Sequence, residues 1–258
     1  MNEAFNLLNR VRSAAGGLDM GRVLKMNDIS TRTQDHLKKT YMALCAGVGV
    51  AAFGSYIHLL YHLGGMVSGI GCFLLLGMLH TSRSEGLHDS SVFQKRLCFY
   101  LGFCLLKGMS IGGLIESSLF IDPTIVLVSF IGTVLVFGCF TLAALVAKRR
   151  SYMYLAGFLG SAMSVFFWMS MANMFFRSAA IYNAQIYGGL LVFSGYVIVD
   201  TQMIVERSES GSKDFLWAAS ELFTDFVALF VRILILVMRN SNQRRRREEN
   251  DRNYRRRY

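Results

Sequence analysis

The chain has 258 residues, of which 53% are hydrophobic and only 17% charged, with a formal net charge of +10 and a mean hydropathy of +0.39. That balance lies outside the range of a soluble domain of this length and excludes one. An all-α, polytopic membrane protein is expected.

Residues 1–40 are polar and mixed in charge, so no cleavable signal peptide is expected ahead of the first span. The stretch around Phe5, Leu8 and Val11 has the spacing of a surface-bound helix, but the reading adopted for 1–40 is a disordered cytosolic arm. Apolar runs near the spanning length of about 20 residues follow. They are Tyr41 to Leu60, Leu63 to Thr81, Leu97 to Leu119, Ile125 to Val146, Tyr152 to Phe176 and Ile186 to Val205. A seventh, Phe215 to Met238, carries Glu221, Asp225 and Arg232 and completes a transmembrane domain over 41–238. Pro123 is the single proline, and the many glycines suit continuous helices in close approach.

Short-loop charges orient the chain. Lysine and arginine collect in the N-terminal arm, in "HTSRSEGLHDSSVFQKR" and in "KRRS", whereas "YHLGG" and "FIDPT" carry none. The positive-inside rule therefore puts the N-terminus in the cytosol. The tail 239–258 holds nine arginines against three acids. By the same rule it belongs in the cytosol, which conflicts with a full seventh crossing and favours a re-entrant or weakly held segment. The tail reads as a solvated run or as a patch for anionic lipid or acidic proteins; no stacking platform accompanies it, so nucleic acid is not expected as a partner.

Carboxylates are costly in hydrocarbon, and two occur on successive spans, Asp200 in "GYVIVDTQMIVE" and Asp225 in "ELFTDFVALFVRILILVM". Helical rise from the ends of the apolar runs puts them about 8 Å and about 16 Å below the boundary. On packed helices such a pair can share a proton, and when ionised it repels and can attract calcium through oxygen ligands. Lys107, in the third span, is at a depth close to that of Asp225 and of opposite sign, so an ion pair is expected. Glu116, near the outer end of that span, reads as a lumenal mouth or as a group meeting headgroup water. Arg232 is expected to snorkel or to pair with an acid. His58 and His62 stand four apart and can share a helical face, but with no third ligand in view they read as interfacial packing. Trp168 and Trp217 read as packing or belt residues. Cys45, Cys72, Cys98, Cys104 and Cys139 have no metal-like spacing and read as buried thiols.

"GYVIVDTQMIVE" and "ELFTDFVALFVRILILVM", together with "FTLAALVAKRRSYMYLAGFLGS", resemble the transmembrane Bax inhibitor motif family, and specifically its Bax inhibitor branch, over about Tyr41 to Met238. The resemblance implies a seven-helix bundle whose last helix is enclosed by the first six. It further implies a pH-dependent calcium leak, the endoplasmic reticulum membrane and suppression of cell death, and it leaves open which death-pathway membrane protein is the partner. It assigns Asp200 and Asp225 as the pH sensor. Val199 replaces the aromatic common before the first aspartate, and the arginine that bacterial members carry on the second helix has no match beyond His80 and Arg83. An intramembrane aspartyl protease also places aspartates on its sixth and seventh helices, but the contexts "VIVD" and "LFTD" do not resemble those of that class, and no proline follows Asp225. No catalytic residue and no cofactor is expected, calcium being the permeant ion; a nonconducting scaffold acting through partner proteins is the alternative.

Overall fold

The computed structural model describes residues 31–62, 64–82, 90–146, 152–212 and 214–257. Among them are seven α-helices and no strand: α1 Thr31–Tyr61, α2 Met66–Thr81, α3 Ser90–Ile121, α4 Thr124–Val146, α5 Tyr152–Phe176, α6 Ala179–Glu209 and α7 Phe215–Arg257. Five of them, α1 and α3 to α6, are long and apolar enough to cross a membrane. Large apolar side chains such as Phe158, Phe167, Trp168 and Phe175 of α5 remain exposed, as a lipid-facing surface requires. The chain is an all-α polytopic membrane protein. Of the expected N-terminal arm, residues 31–40 are already helical, and 1–30 lie outside the described residues.

The second helix is shorter than its apolar run suggests. It begins at Met66 rather than Leu63 and has 16 residues, about 24 Å against a hydrocarbon core of about 30 Å. The reversal out of α1 consumes the difference: Gly65 takes a left-handed φ of 82°, which glycine adopts without a Cβ clash, and its carbonyl accepts the Gly69 N–H.

Glycines set the spacing between α1 and α3. A Cβ on Gly54 would run into the Leu105 carbonyl, one on Gly108 into the Ala51 carbonyl, and one on Gly47 into the Tyr100 hydroxyl. The backbones are therefore in direct contact, and the Tyr100 hydroxyl donates to the Ala43 carbonyl at 2.8 Å. Gly108→Ala should destabilise the fold by about 1–3 kcal/mol through overpacking, read as a lower unfolding midpoint in detergent. Gly49→Ala is the control: nothing lies within 4 Å of a Cβ there, so the midpoint should hold or rise.

The seventh helix is the enclosed one. Leu222, Phe223, Leu229 and Leu234 are fully buried, and α7 packs chiefly against α1, α3, α4 and α6, with α2 on the outside of α3 and α5 on the outside of α6. It is neither re-entrant nor weakly held. It runs unbroken for 43 residues. Arg96 and Asp214 pair where α3 and α7 begin, which we call the entry face. At the far face Arg239 donates to Asn183 Oδ1 at the start of α6, and Arg245 donates to the carbonyl of Ile121 where α3 ends. The charge rule favoured a return to the starting side, but burying the apolar sides of 24 residues requires α7 to pass through the bundle. The arginine-rich tail consequently continues from the far face as an exposed helix, whose run lacks glycine and proline and gains an Arg252–Glu248 pair one turn apart.

Candidate functional site

An acidic seam runs along the α6–α7 contact. In α6 the run Val197, Val199 and Ile204 packs into the core, which leaves Asp200 half-buried and facing α7. In α7 Leu222, Phe223 and Phe226 are the core residues, and Asp225 between them is 5% exposed on the side toward α6. The two carboxyls face each other across the contact, each within reach of the other. Two carboxyls so placed can bond to each other only with a proton between them, so the arrangement suits two acids sharing one proton. Asp225 Oδ2 is buried with no partner.

The depths also agree. The polar end "ERSE" is helical, so α6 extends to Glu209 and Asp200 lies about 14 Å from that end. Asp225 is about 15 Å from the start of α7. The shallower position expected for Asp200 came from ending the helix with the apolar run at Val205.

Toward the entry face the seam continues through Arg207 and Glu221, to which sequence reasoning gave no role, and through Trp217, which it read as a packing or belt residue. Arg207 Nη1 donates to both oxygens of Glu221 at 2.9 and 2.7 Å, and the Trp217 indole N–H donates to the same carboxylate at 2.8 Å. The Trp217 ring rests edge-on against His80 at 5.0 Å. The signal was spacing: Glu221 precedes Asp225 by four residues and Arg207 follows Asp200 by seven, so each shares a helical face with its aspartate. Arg83, the other basic group expected near the end of the second span, lies outside the described residues.

At the mouth of the seam, Arg96 donates to Asp214 at 2.7 Å with both side chains almost fully buried. Asp214 also caps α7, its Oδ1 accepting the Trp217 N–H at 3.2 Å. His36, ahead of the first apolar run, lies in the same corner. Burial lowers its pKa below the ordinary 6.5, the nearby Asp214 charge opposes that, and Lys39 adds to it. Deeper in, the hydroxyls of Tyr41, Thr141 and Thr201 from α1, α4 and α6 face one another, buried and short of complete hydrogen bonds. Gln202 ties α6 to α4 by donating to the Ala144 carbonyl at 3.2 Å.

Other sequence-assigned residues lie elsewhere. Lys107 is half-buried on α3, where its charge acts on Cys72 of α2; among the described residues it makes no ion pair, with Asp225 or any other acid. Glu116 is at the far face, 3.7 Å from His58 and 3.6 Å from His62. Among the described residues Arg232 meets no acid. Its guanidinium stacks over Phe193 at 4.2 Å, in space that a Cβ on Gly189 would occupy, and donates to the Ala228 carbonyl at 2.9 Å. All five cysteines are free; Cys72 and Cys104 are buried as expected, whereas Cys45, Cys98 and Cys139 are exposed and not the buried thiols that their place in apolar runs suggested. A cavity of about 430 Å³ opens between α1, α3, α4 and α7, lined by Phe223, Phe226 and Phe230 among others, with Ser55 its one polar residue. It does not reach the aspartates.

Residues 33–243 match the family described as inhibitor of apoptosis-promoting Bax1. The chain is 41% identical over 215 residues to Bax inhibitor 1 of Arabidopsis thaliana, an alignment covering 83% of this chain and 84% of that one. It is 38% identical over 230 residues to Bax inhibitor 1 of Rattus norvegicus and 36% identical over 230 to that of Homo sapiens, each alignment covering 88% of this chain and 95% of the relative.

Proposed function

Since this chain belongs to the family of inhibitors of apoptosis-promoting Bax1, we propose that it is a pH-regulated calcium leak channel of the endoplasmic reticulum membrane that suppresses cell death. The N-terminus is then cytosolic and the acidic seam opens toward the cytosol. The observation that carries the reading is the facing pair Asp200 and Asp225, half-buried and buried where α6 crosses the enclosed helix. With one proton between them the acids hold α6 to α7. Loss of that proton leaves two like charges in contact, which separates the helices and presents oxygen ligands to a divalent cation. Glu221, itself held by Arg207, adds a third carboxylate on the route from the entry face.

A nonconducting regulator acting through death-pathway membrane proteins is the second reading, favoured by the apolar cavity and by the exposed arginine-rich end of α7, which suits anionic lipid or acidic proteins. Liposomes containing only the purified chain and a lumenal calcium dye decide between them. Calcium entry that varies between about pH 6 and pH 8, the range in which a buried acid pair can exchange its proton, is expected. Folded protein that passes no calcium at any pH in that range would leave the regulator as the function.

A further inference from the structure

We propose that His58, His62 and Glu116 form a binding site for one transition-metal dication, Zn²⁺ above all, at the far face of the bundle. The site is separate from the acidic seam and does not rest on the leak reading. Nε2 of His58 and Nδ1 of His62 lie 3.7 and 3.6 Å from the same oxygen of Glu116, and all three ligand atoms fall within 4.8 Å of one another. A tetrahedral ion with ligands at about 2.0–2.2 Å has them about 3.3–3.6 Å apart, so small side-chain shifts close the set around a metal. The present Glu116 distances are too long for direct hydrogen bonds and leave the width an ion would fill.

The local backbone is shaped to bring these groups together. His62 follows the last residue of α1 with a left-handed φ of 52°, and its N–H donates to the His58 carbonyl at 2.7 Å. That conformation is uncommon outside glycine and turns the His62 ring back over the helix end, 6.2 Å from the His58 ring. On α3, Gly112 leaves the slot that the His58 ring occupies, since a Cβ there would overlap it. His58 is thus held at 12% exposure, whereas Glu116 at 26% and His62 at 69% keep the site open to solvent. Two imidazoles and one carboxylate with an open fourth position form a zinc-type donor set. Calcium and magnesium prefer oxygen shells, so the site discriminates against the ion of the proposed leak. A metal here would join the ends of α1 and α3, one turn beyond Ser55 in the cavity wall.

The test uses the full chain purified in detergent. Zn²⁺ titrated against a chromophoric chelator should bind at one equivalent, and the unfolding midpoint should rise with Zn²⁺ but not with the same concentration of Ca²⁺ or Mg²⁺. His62→Ala and Glu116→Gln should each weaken binding by about tenfold or more, because even outer-shell losses at metal sites cost about 10–100-fold. Both should also abolish the rise in midpoint. X-ray absorption of the zinc-loaded chain should show nitrogen and oxygen at about 2.0–2.2 Å with no sulfur at about 2.3 Å. His62 lies outside the core, so its alanine variant tests the ligand without emptying a packed position. Undiminished affinity in both variants, a sulfur-containing shell, or no binding by the folded wild type overturns the site.

Discussion

Arg96→Ala should lower the unfolding free energy by about 3–5 kcal/mol, because it removes the guanidinium from a buried ion pair. The pair closes at 2.7 Å between residues 118 positions apart in sequence, and its loss takes the guanidinium from Asp214 Oδ2 while the capping contact at Oδ1 stays. Equilibrium unfolding in detergent at pH 7.5 or so measures it. The double variant Arg96→Met with Asp214→Asn should recover most of the loss, since it removes both charges and keeps a side chain able to cap α7. A loss under about 1 kcal/mol in the single variant would mean the pair is as weak as a surface bridge. The corner should also be acid-sensitive. His36 binds its proton less readily folded than unfolded, so stability is fully present above pH 6.5 and falls as the pH drops through that value toward the lowered folded pKa.

Asp225→Asn should remove most of the pH dependence of calcium flux, and Asp200→Asn should do nearly the same. An amide keeps the shape of the carboxyl but cannot take up or release the shared proton. One proton can alter flux by at most about tenfold per pH unit, so the wild type should approach that slope and the variants should be close to flat. Because the response belongs to the pair, each single change should carry much of the effect of the double, a non-additivity expected of residues in contact. Asp225→Asn should also weaken calcium attraction more, since Asp225 is the more buried of the two. Flux into liposomes across about pH 6 to 8 measures both. Wild-type profiles in both single variants would make the aspartates a structural pair only.

The aspartates were legible because each interrupts an apolar run, a signal carried by single residues within a single segment. Six of the helices were legible for the same reason. The course of α7 was not, because its charge pattern and its apolar pattern pull in opposite directions, and only the packing of Leu222, Phe223, Leu229 and Leu234 decides between them. Arg96, Asp214 and Arg207 fall in segments that read as loop or helix end, where polar residues draw no notice; burial and partners distinguish them, and neither is local in sequence. Glu116 was legible as a charge at a helix end, but its neighbours His58 and His62 belong to another helix, and the glycine contact that fixes the α1–α3 register has no one-dimensional signature.

The unbroken course of α7 makes it a lever with its fulcrum in the bundle. At 43 residues it is about 64 Å long, and Arg257 stands about 48 Å along the axis from Asp225. A tilt of about 5° about that aspartate would sweep the arginine-rich end through about 4 Å, while Glu221, one turn to the other side, would move by only about 0.5 Å. Displacements of the second size are enough to weaken the Arg207–Glu221 hydrogen bonds of 2.7 and 2.9 Å, and those of the first are what docking on a charged surface supplies. A load on the arginine-rich end on one side of the membrane is thereby geared down, through a single rigid rod, to the scale of one side-chain hydrogen bond near the other.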